Sequence, residues 1–286
     1  MTTILIIFTD LDGTLLDSET YSYQNAIPVL NTLKNNQVPV IPVTSKTRRE
    51  VETLCQSLQI NEPFIVENGS GIFVPLDYNY LTLPKSNQWG GYHLHQLGCT
   101  YAEARLGLEK IATALNEPLR GFGDMSEAEI CHLTGLSSDE AKQAKARQFT
   151  EPFVTPKKVT PERLHQIVQD LGYRIVVGDR FCHLIGAGAG KGNAVQWLVD
   201  SYQFAQPDAQ ITTLGLGNSP NDLEMLEAVD IPVIVPGNKG IHPGLSGKRW
   251  QVAPAPGSQG WAEAVRRVVV RELGELGEMG KMRESV

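Results

Sequence analysis

Short apolar runs alternate with amphipathic stretches along the first third of the chain. Residues 4–9 (ILIIFT) form a β-rich run that stops at an acidic turn. Residues 25–36 suit a helix, with Asn25 as its cap and Pro28 confined to the first turn, where the missing N–H costs nothing. VPVIPVT (38–44) reads as a second strand, 47–59 as a helix and PFIVENG (63–69) as a third strand. The strands are apolar on both faces, as parallel strands covered by helices on two sides must be. The alternation therefore predicts βαβ units.

The same pattern returns late. A helix is expected over 192–205, a buried strand over 211–217, a helix over 220–229 and a strand over 232–237. Between the halves the texture changes. Polar aromatic loops precede helical stretches at 101–115, 137–148 and 161–171, and YRIVVG (173–178) and FCHLIG (181–186) are set to pair as a hairpin across Asp179-Arg180. The fold class is α/β, a parallel-sheet core with helices on both faces plus an inserted α+β domain. The division is 1–84 and 187–272 for the core, 85–186 for the insert, and 273–286 for a charged, Gly-punctuated tail expected to fray.

Composition narrows the class. At 286 residues, 41% hydrophobic and 20% charged, the chain can bury a large core without disulfides and is not disordered overall. Cys55, Cys99, Cys131 and Cys182 are scattered, with no zinc-like spacing, and read as reduced thiols. No apolar run approaches the roughly 18 residues of a membrane span, and the first residues lack a basic segment before Asp10. A cytoplasmic protein without a membrane partner is expected. The net charge of −7, with no basic patch, argues against nucleic acid as a partner. Nothing in the sequence sets an oligomeric state.

DLDGTLLD (10–17) directly follows the first strand. Residues two apart in a strand share a side, so Asp10 and Asp12 face one cleft at the carboxyl end of the sheet. Two neighbouring carboxylates call for a compensating cation, and a hard divalent ion such as Mg²⁺ prefers oxygen ligands. One carboxylate is then a nucleophile toward phosphorus and the other a proton donor to the leaving oxygen. A plain surface turn is the competing reading of this motif alone. Thr44, Ser45 and Lys46 end the second strand, and Lys191 precedes a helix in AGAGKG. GLGNSPND places Asn218 and Asp222 after a further strand as oxygen ligands. Two glycine runs are decoys. GAGAGK at 186–191 has the wrong spacing for a P-loop, and Pro220 stands where a dinucleotide fingerprint needs its third Gly.

Asp10-Leu-Asp12-Gly13-Thr14, Thr44, Lys191 and GNSPND, in that order, resemble the haloacid dehalogenase-like phosphatase superfamily. The resemblance implies a Rossmann-like core with a cap inserted between the second and third motifs. It implies Asp10 as phosphorylated nucleophile, Asp12 as general acid and base, and Thr44 and Lys191 as phosphoryl-orienting groups. Mg²⁺ would be held by Asp10, Asp12, Asn218 and Asp222. Asn218 departs from the family's usual Asp and removes one negative charge. More narrowly, TSKTRREV, ENGSGIF, AKARQFTEPF, GDRFCHL and GKGNAV resemble mannosyl-3-phosphoglycerate phosphatases.

That narrower resemblance implies hydrolysis of a small phosphorylated glycoside, mannosyl- or glucosyl-3-phosphoglycerate, in the making of a compatible solute. A broad sugar phosphatase, a phosphomutase and an inactive sugar-phosphate binding module are the alternatives. For such a ligand, Arg147 offers a planar donor fork to the carboxylate and Glu151 accepts sugar hydroxyls; otherwise the two form a solvated i,i+4 helix pair. Arg180 and His183 add polar reach from the hairpin. Ser45, Lys46 and Arg48 are either cleft groups or an ordinary helix start, and Asn68 and Gly69 either touch the phosphoryl group or only shape a turn.

Overall fold

The computed structural model describes residues 3–83, 87–178 and 181–274. Arg180, the turn at Asp179-Arg180 and the tail beyond 274 lie outside the described residues. The chain runs through β1 (Thr3–Thr9), α1 (Ile27–Asn35), β2 (Val40–Pro42), α2 (Arg48–Leu58), β3 (Phe64–Val66) and β4 (Gly71–Pro75). The hairpin β5 (Asn87–Trp89) and β6 (Tyr92–Gln96) follows. Next come α3 (Tyr101–Leu115), α4 (Glu127–Thr134), α5 (Ser138–Lys145), β7 (Glu151–Phe153), α6 (Pro161–Asp170), β8 (Tyr173–Val177) and β9 (Cys182–Gly186). The last part holds α7 (Lys191–Ala205), β10 (Gln210–Gly217), α8 (Leu223–Glu227), β11 (Ile231–Ile234), β12 (Gln251–Val252) and α9 (Gly257–Leu273).

Five parallel strands in the order β12-β11-β10-β1-β2 make the central sheet. The period-2 rule is visible in β1. Leu5 and Ile7 join one apolar cluster with Leu33, Trp261 and Val265, while Ile6 and Phe8 join another with Ala194, Leu198 and Tyr202. Helices on both faces thus make this an α/β core, as the alternating runs imply. Among the described residues no helix is long and apolar enough to cross a membrane, and all four cysteines are free.

Three local readings need correction. Asn25 does not cap α1, because a 3-10 turn over Gln24–Ala26 leads into the helix, and its amide instead donates to Ser258 Oγ at 3.2 Å. β3 touches the parallel sheet only through the Val43–Ile65 bridge; its full partner is β4, in the antiparallel order β3-β4-β6-β5. Residues 87–96, read as loops, hold two strands: Tyr92–Gln96 pairs with Gly71–Pro75, and Asn87–Trp89 pairs with Tyr92–Leu94. The hairpin of β8 and β9 forms with Tyr173 opposite Gly186 and gains β7 as a third strand. Capping boxes start α2, α3, α4 and α5 at Thr47, Thr100, Ser126 and Ser137, each closed by a Glu three residues on.

Candidate active site

The sheet order reverses direction at β1: the chain leaves it toward β2 on one side and returns to β10 on the other. Ligands lie at such a switch point, beyond the carboxyl ends of the strands. Asp10 N donates to Leu216 O at 2.9 Å, so β1 and β10 remain in register up to this edge. Gly13 then turns the chain with φ +78°, and a Cβ on it would fall 2.2 Å from Asn218 Nδ2. Only glycine allows both the left-handed turn and this approach of the two loops.

Lys191 opens α7 and is buried. Its Nζ lies 2.7 Å from Asp10 Oδ1 and 2.6 Å from Asp222 Oδ1. Burial and the Asp222 charge push the Asp10 carboxyl up to about 7, against the pull of Lys191. Burial works against the Lys191 charge, but Asp10 and Asp222 outweigh it and hold the ammonium above its ordinary value. Thr14 Oγ1 donates to Asp10 Oδ2 at 3.3 Å. Asp222 is engaged on both oxygens, since Oδ2 accepts the amides of Asn218 and Ser219 at 2.9 and 3.0 Å. This carboxylate therefore builds the loop and aims Lys191.

Asp12 sits at the mouth, with Lys46 Nζ 3.0 Å from its Oδ2 and 3.7 Å from Glu50 Oε1. Burial opposes the Lys46 charge, but Asp12 and Glu50 prevail and raise its affinity for its proton. Asp12 Oδ1 is buried with no hydrogen-bond partner. A divalent cation fits this donor set. Asp10, Asp12 and Asp222 outnumber the ammonium groups of Lys46 and Lys191, and a buried carboxylate oxygen is unpartnered.

A cleft of about 240 Å³ opens above these groups. Asp10, Asp12, Ser45, Lys46 and Asn218 line it from the core, and Arg147 and His183 from the insert. Thr44 is buried below the floor; its Oγ1 accepts the Lys46 amide at 3.2 Å. Arg147 is not on a helix, because α5 ends at Lys145, so the i,i+4 pairing with Glu151 does not form. Its guanidinium instead crosses to the core and donates to Ser45 O at 2.8 Å. His183 lies on β9, and burial, then the charges of Arg147 and Lys191, push its imidazole down to about 3. It is neutral at physiological pH.

Two expected cleft groups lie elsewhere. Glu151 does not line the cleft. It is buried on β7, where Oε1 takes Gly123 N at 2.7 Å and the Arg105 guanidinium at 3.0 Å, contacts within the insert. Arg48 is an ordinary helix start: it pairs with Glu52 one turn on and lies over the rings of Phe73 and Trp89. Asn68 and Gly69 form a buried turn next to the site. Asn221 Nδ2 reaches Asn68 Oδ1 at 3.5 Å, and Gly69 (φ +85°) packs so closely on the start of α7 that a Cβ would meet Gly190 O at 2.1 Å.

Other cleft residues were not marked as site groups by the sequence, although Ser219 and Asn221 lie within the GNSPND motif. Ser18, Tyr21, Glu50, Ser219 and Asn221 come from the core, and Phe122, Thr134, Leu136 and Phe181 from the insert. Phe122 and Phe181 meet edge to face with centroids 5.0 Å apart. Thr47 and Glu50 have the spacing of a capping box, and the residues from the insert depend on how it folds over the core.

The chain has relatives of known name. Residues 7–87 match the model of the haloacid dehalogenase-like hydrolases, and residues 127–252 that of sucrose-6F-phosphate phosphohydrolase. A glucosyl-3-phosphoglycerate/mannosyl-3-phosphoglycerate phosphatase from Persephonella marina is 41% identical over 265 residues, spanning 93% of this chain and 97% of that protein. The chain belongs to this phosphatase family. A relative of the same name from Methanococcoides burtonii is 36% identical, over 92% of this chain and 97% of its own length. In fold, the chain resembles the sucrose-phosphatase of Synechocystis, solved with sucrose and phosphate (TM-score 0.60, 19% identity, 93% of this chain and 98% of that one). It also resembles a phosphatase of the haloalkanoate enzyme superfamily from Bacteroides thetaiotaomicron (TM-score 0.65, 14% identity, 93% and 95%). As a member of the family the chain is a phosphoric monoester hydrolase.

Proposed function

We propose that this phosphatase hydrolyses mannosyl- or glucosyl-3-phosphoglycerate, with Mg²⁺, through an aspartyl-phosphate on Asp10. The observation that carries the proposal is the buried Lys191 bridging Asp10 and Asp222 directly beneath a cleft shared by core and insert. Lys191 holds Asp10 Oδ1 in place and supplies positive charge where the phosphoryl oxygens arrive. A carboxylate oxygen of Asp10 forms a bond to phosphorus as the bond from phosphorus to the glycerate oxygen breaks. Asp12 gives its proton to that leaving oxygen. It then takes a proton from water as the water oxygen bonds to phosphorus and releases phosphate from Asp10.

Mg²⁺ would be held by Asp10, Asp12 and Asn218, and it supplies charge neutralisation and orientation of the phosphoryl group. Thr44 keeps its hydroxyl proton available to the phosphoryl oxygens while its lone pair holds the Lys46 amide. Lys46 and Arg147 suit the glycerate carboxylate. Phe122, Leu136 and Phe181 offer apolar surface to the C–H face of the sugar, and neutral His183 exchanges hydrogen bonds with its hydroxyls. Because β6 pairs with β4 and β5 with β6, we place the start of the cap near Gly98, later than the expected 85, and its end at Gly186.

The test is inorganic phosphate release, with and without Mg²⁺, from mannosyl- and glucosyl-3-phosphoglycerate, free 3-phosphoglycerate and hexose 6-phosphates. A Mg²⁺-dependent preference for the glycosylated acids supports the proposal. Equal rates on simple sugar phosphates would replace it with a broad sugar phosphatase.

A further inference from the structure

Glu67 is fully buried in the core, in the turn between β3 and β4, yet all four of its side-chain hydrogen bonds come from the cap. Oε1 accepts Gln148 N at 2.8 Å, while Oε2 accepts Phe149 N at 3.2 Å, Thr150 N at 2.9 Å and Thr150 Oγ1 at 2.7 Å. Three consecutive amides pointing at one carboxylate form an anion-binding concavity of backbone dipoles. Burial pushes the Glu67 carboxyl up, while the nearby Arg147 guanidinium and these donors pull it back.

The neighbours of this segment show what it does. Phe149 leaves the cap and is buried in the core cluster, its ring 6.3 Å from that of Phe73 and so close to Gly71 that a Cβ there would lie 2.5 Å from the Phe149 ring. Gln148 O accepts the Tyr101 amide at 2.8 Å, which ties the segment to the entry of the cap. Immediately before it stands Arg147, which donates to Ser45 O at 2.8 Å and Thr150 Oγ1 at 3.3 Å, 3.9 Å from Glu67 Oε2. Ser45 in turn follows Thr44. The Glu67 amide donates to Lys46 O at 3.0 Å and the Asn68 amide to Thr44 O at 2.9 Å, so one turn holds the floor loop with its backbone and the cap with its side chain.

We propose that Glu67 is a positioning residue for the reaction, anchoring cap residues 147–150 to the core so that Arg147 stands at a fixed place across the cleft. It touches neither the cleft nor the reacting atoms and acts through Arg147. The proposal rests on the substrate reading above for its kinetic consequence, and on the structure alone for the anchor. Replacing Glu67 by Gln preserves volume but turns an N–H₂ toward a row of N–H donors and removes the charge beside Arg147.

The experiment compares kcat/KM for a glycosyl-3-phosphoglycerate with kcat/KM for p-nitrophenyl phosphate, which has no carboxylate to engage Arg147. The proteins are wild type, Glu67→Gln, Arg147→Ala and the double variant, with amide hydrogen exchange read at residues 148–150. Expected in Glu67→Gln is a fall of about tenfold in the ratio of the two kcat/KM values, mainly through KM for the glycosylated acid. Faster exchange at 148–150 is expected with it. Glu67→Gln should change the ratio less than about twofold once Arg147 is already Ala.

Equal losses on both substrates, or full additivity with Arg147→Ala, would overturn the proposal. Should Glu67→Gln fail to fold, Glu67→Asp, which keeps the charge but shortens the reach, is read in the same way. If the wild type turns over p-nitrophenyl phosphate but no glycosylated acid, the substrate reading fails, and the anchor is decided by exchange alone. Unchanged protection at 148–150 would then overturn it.

Discussion

Lys191 Nζ lies 2.7 Å from Asp10 Oδ1, a contact that joins the end of the first strand to the start of a helix 181 residues later. It closes the core around the cap and fixes the proposed nucleophile from beneath. Lys191→Met removes the cation and leaves Asp10 and Asp222 buried without a counter-charge. Loss of one partner of a buried pair costs about 3–5 kcal/mol, so urea unfolding is expected to shift by that order in metal-free protein. Turnover is expected to fall by roughly 10²–10³, the scale of a lost charge-stabilising donor. A variant as active as wild type would show that Lys191 is structural only.

Asn218 stands where an additional carboxylate would raise the negative charge of the site. Asn218→Asp adds that charge beside Asp10 and Asp12 and is expected to tighten Mg²⁺ binding, about tenfold for a gain near 1.4 kcal/mol. Asn218→Ala should weaken it. Titration calorimetry of the purified protein with Mg²⁺ measures both, and an unchanged affinity in both variants would remove Asn218 from the metal site.

Gly69 lies against the start of α7 with φ +85°. Gly69→Ala forces a left-handed backbone on a residue with a Cβ and drives that Cβ into Gly190 O, next to Lys191. A stability loss of about 1–3 kcal/mol is expected, and displacement of Lys191 by about 1 Å lowers kcat by up to about 10²-fold. Urea unfolding and steady-state kinetics check the two effects together.

His183 is held near 3 by burial and by the charges of Arg147 and Lys191, against 6.5 in the free side chain. The folded imidazole is thus neutral where the unfolded chain takes up a proton. Its contribution to stability is complete above about pH 6.5 and is lost as pH falls toward 3. His183→Gln, which cannot titrate, is expected to flatten the decline of the urea midpoint between pH 6.5 and 4. Parallel curves for the two proteins would contradict a depressed pKa.

The core was legible because its signals are local. Apolar runs of strand length end at Asp10, Thr44 and Gly217, and the switch-point rule then brings those ends together. Lys191 and Asn218 were likewise marked by their place at strand and helix boundaries. Ser126 and Ser137, each followed three residues on by Glu, signalled the starts of α4 and α5, but only the second was matched to a helical stretch.

The cap was harder to read for physical reasons. Arg147 and Glu151 look like helix neighbours in sequence, yet α5 stops at Lys145 and residues 148–150 are captured by Glu67, a carboxylate 81 positions before Gln148. Residues 87–96 lack a strong apolar alternation because they form a half-exposed strand paired with β4 and an exposed edge strand paired with it in turn. Such long-range capture overrides local propensity.

The central claim is that Asp10 carries the phosphoryl group. Its most direct test is rapid acid quenching during turnover of a glycosyl-3-phosphoglycerate labelled with ³²P, followed by peptide mapping. The account predicts transient label on the peptide containing Asp10 and none in Asp10→Asn protein that remains folded. Full turnover in Asp10→Asn, or label on any other residue, would contradict it.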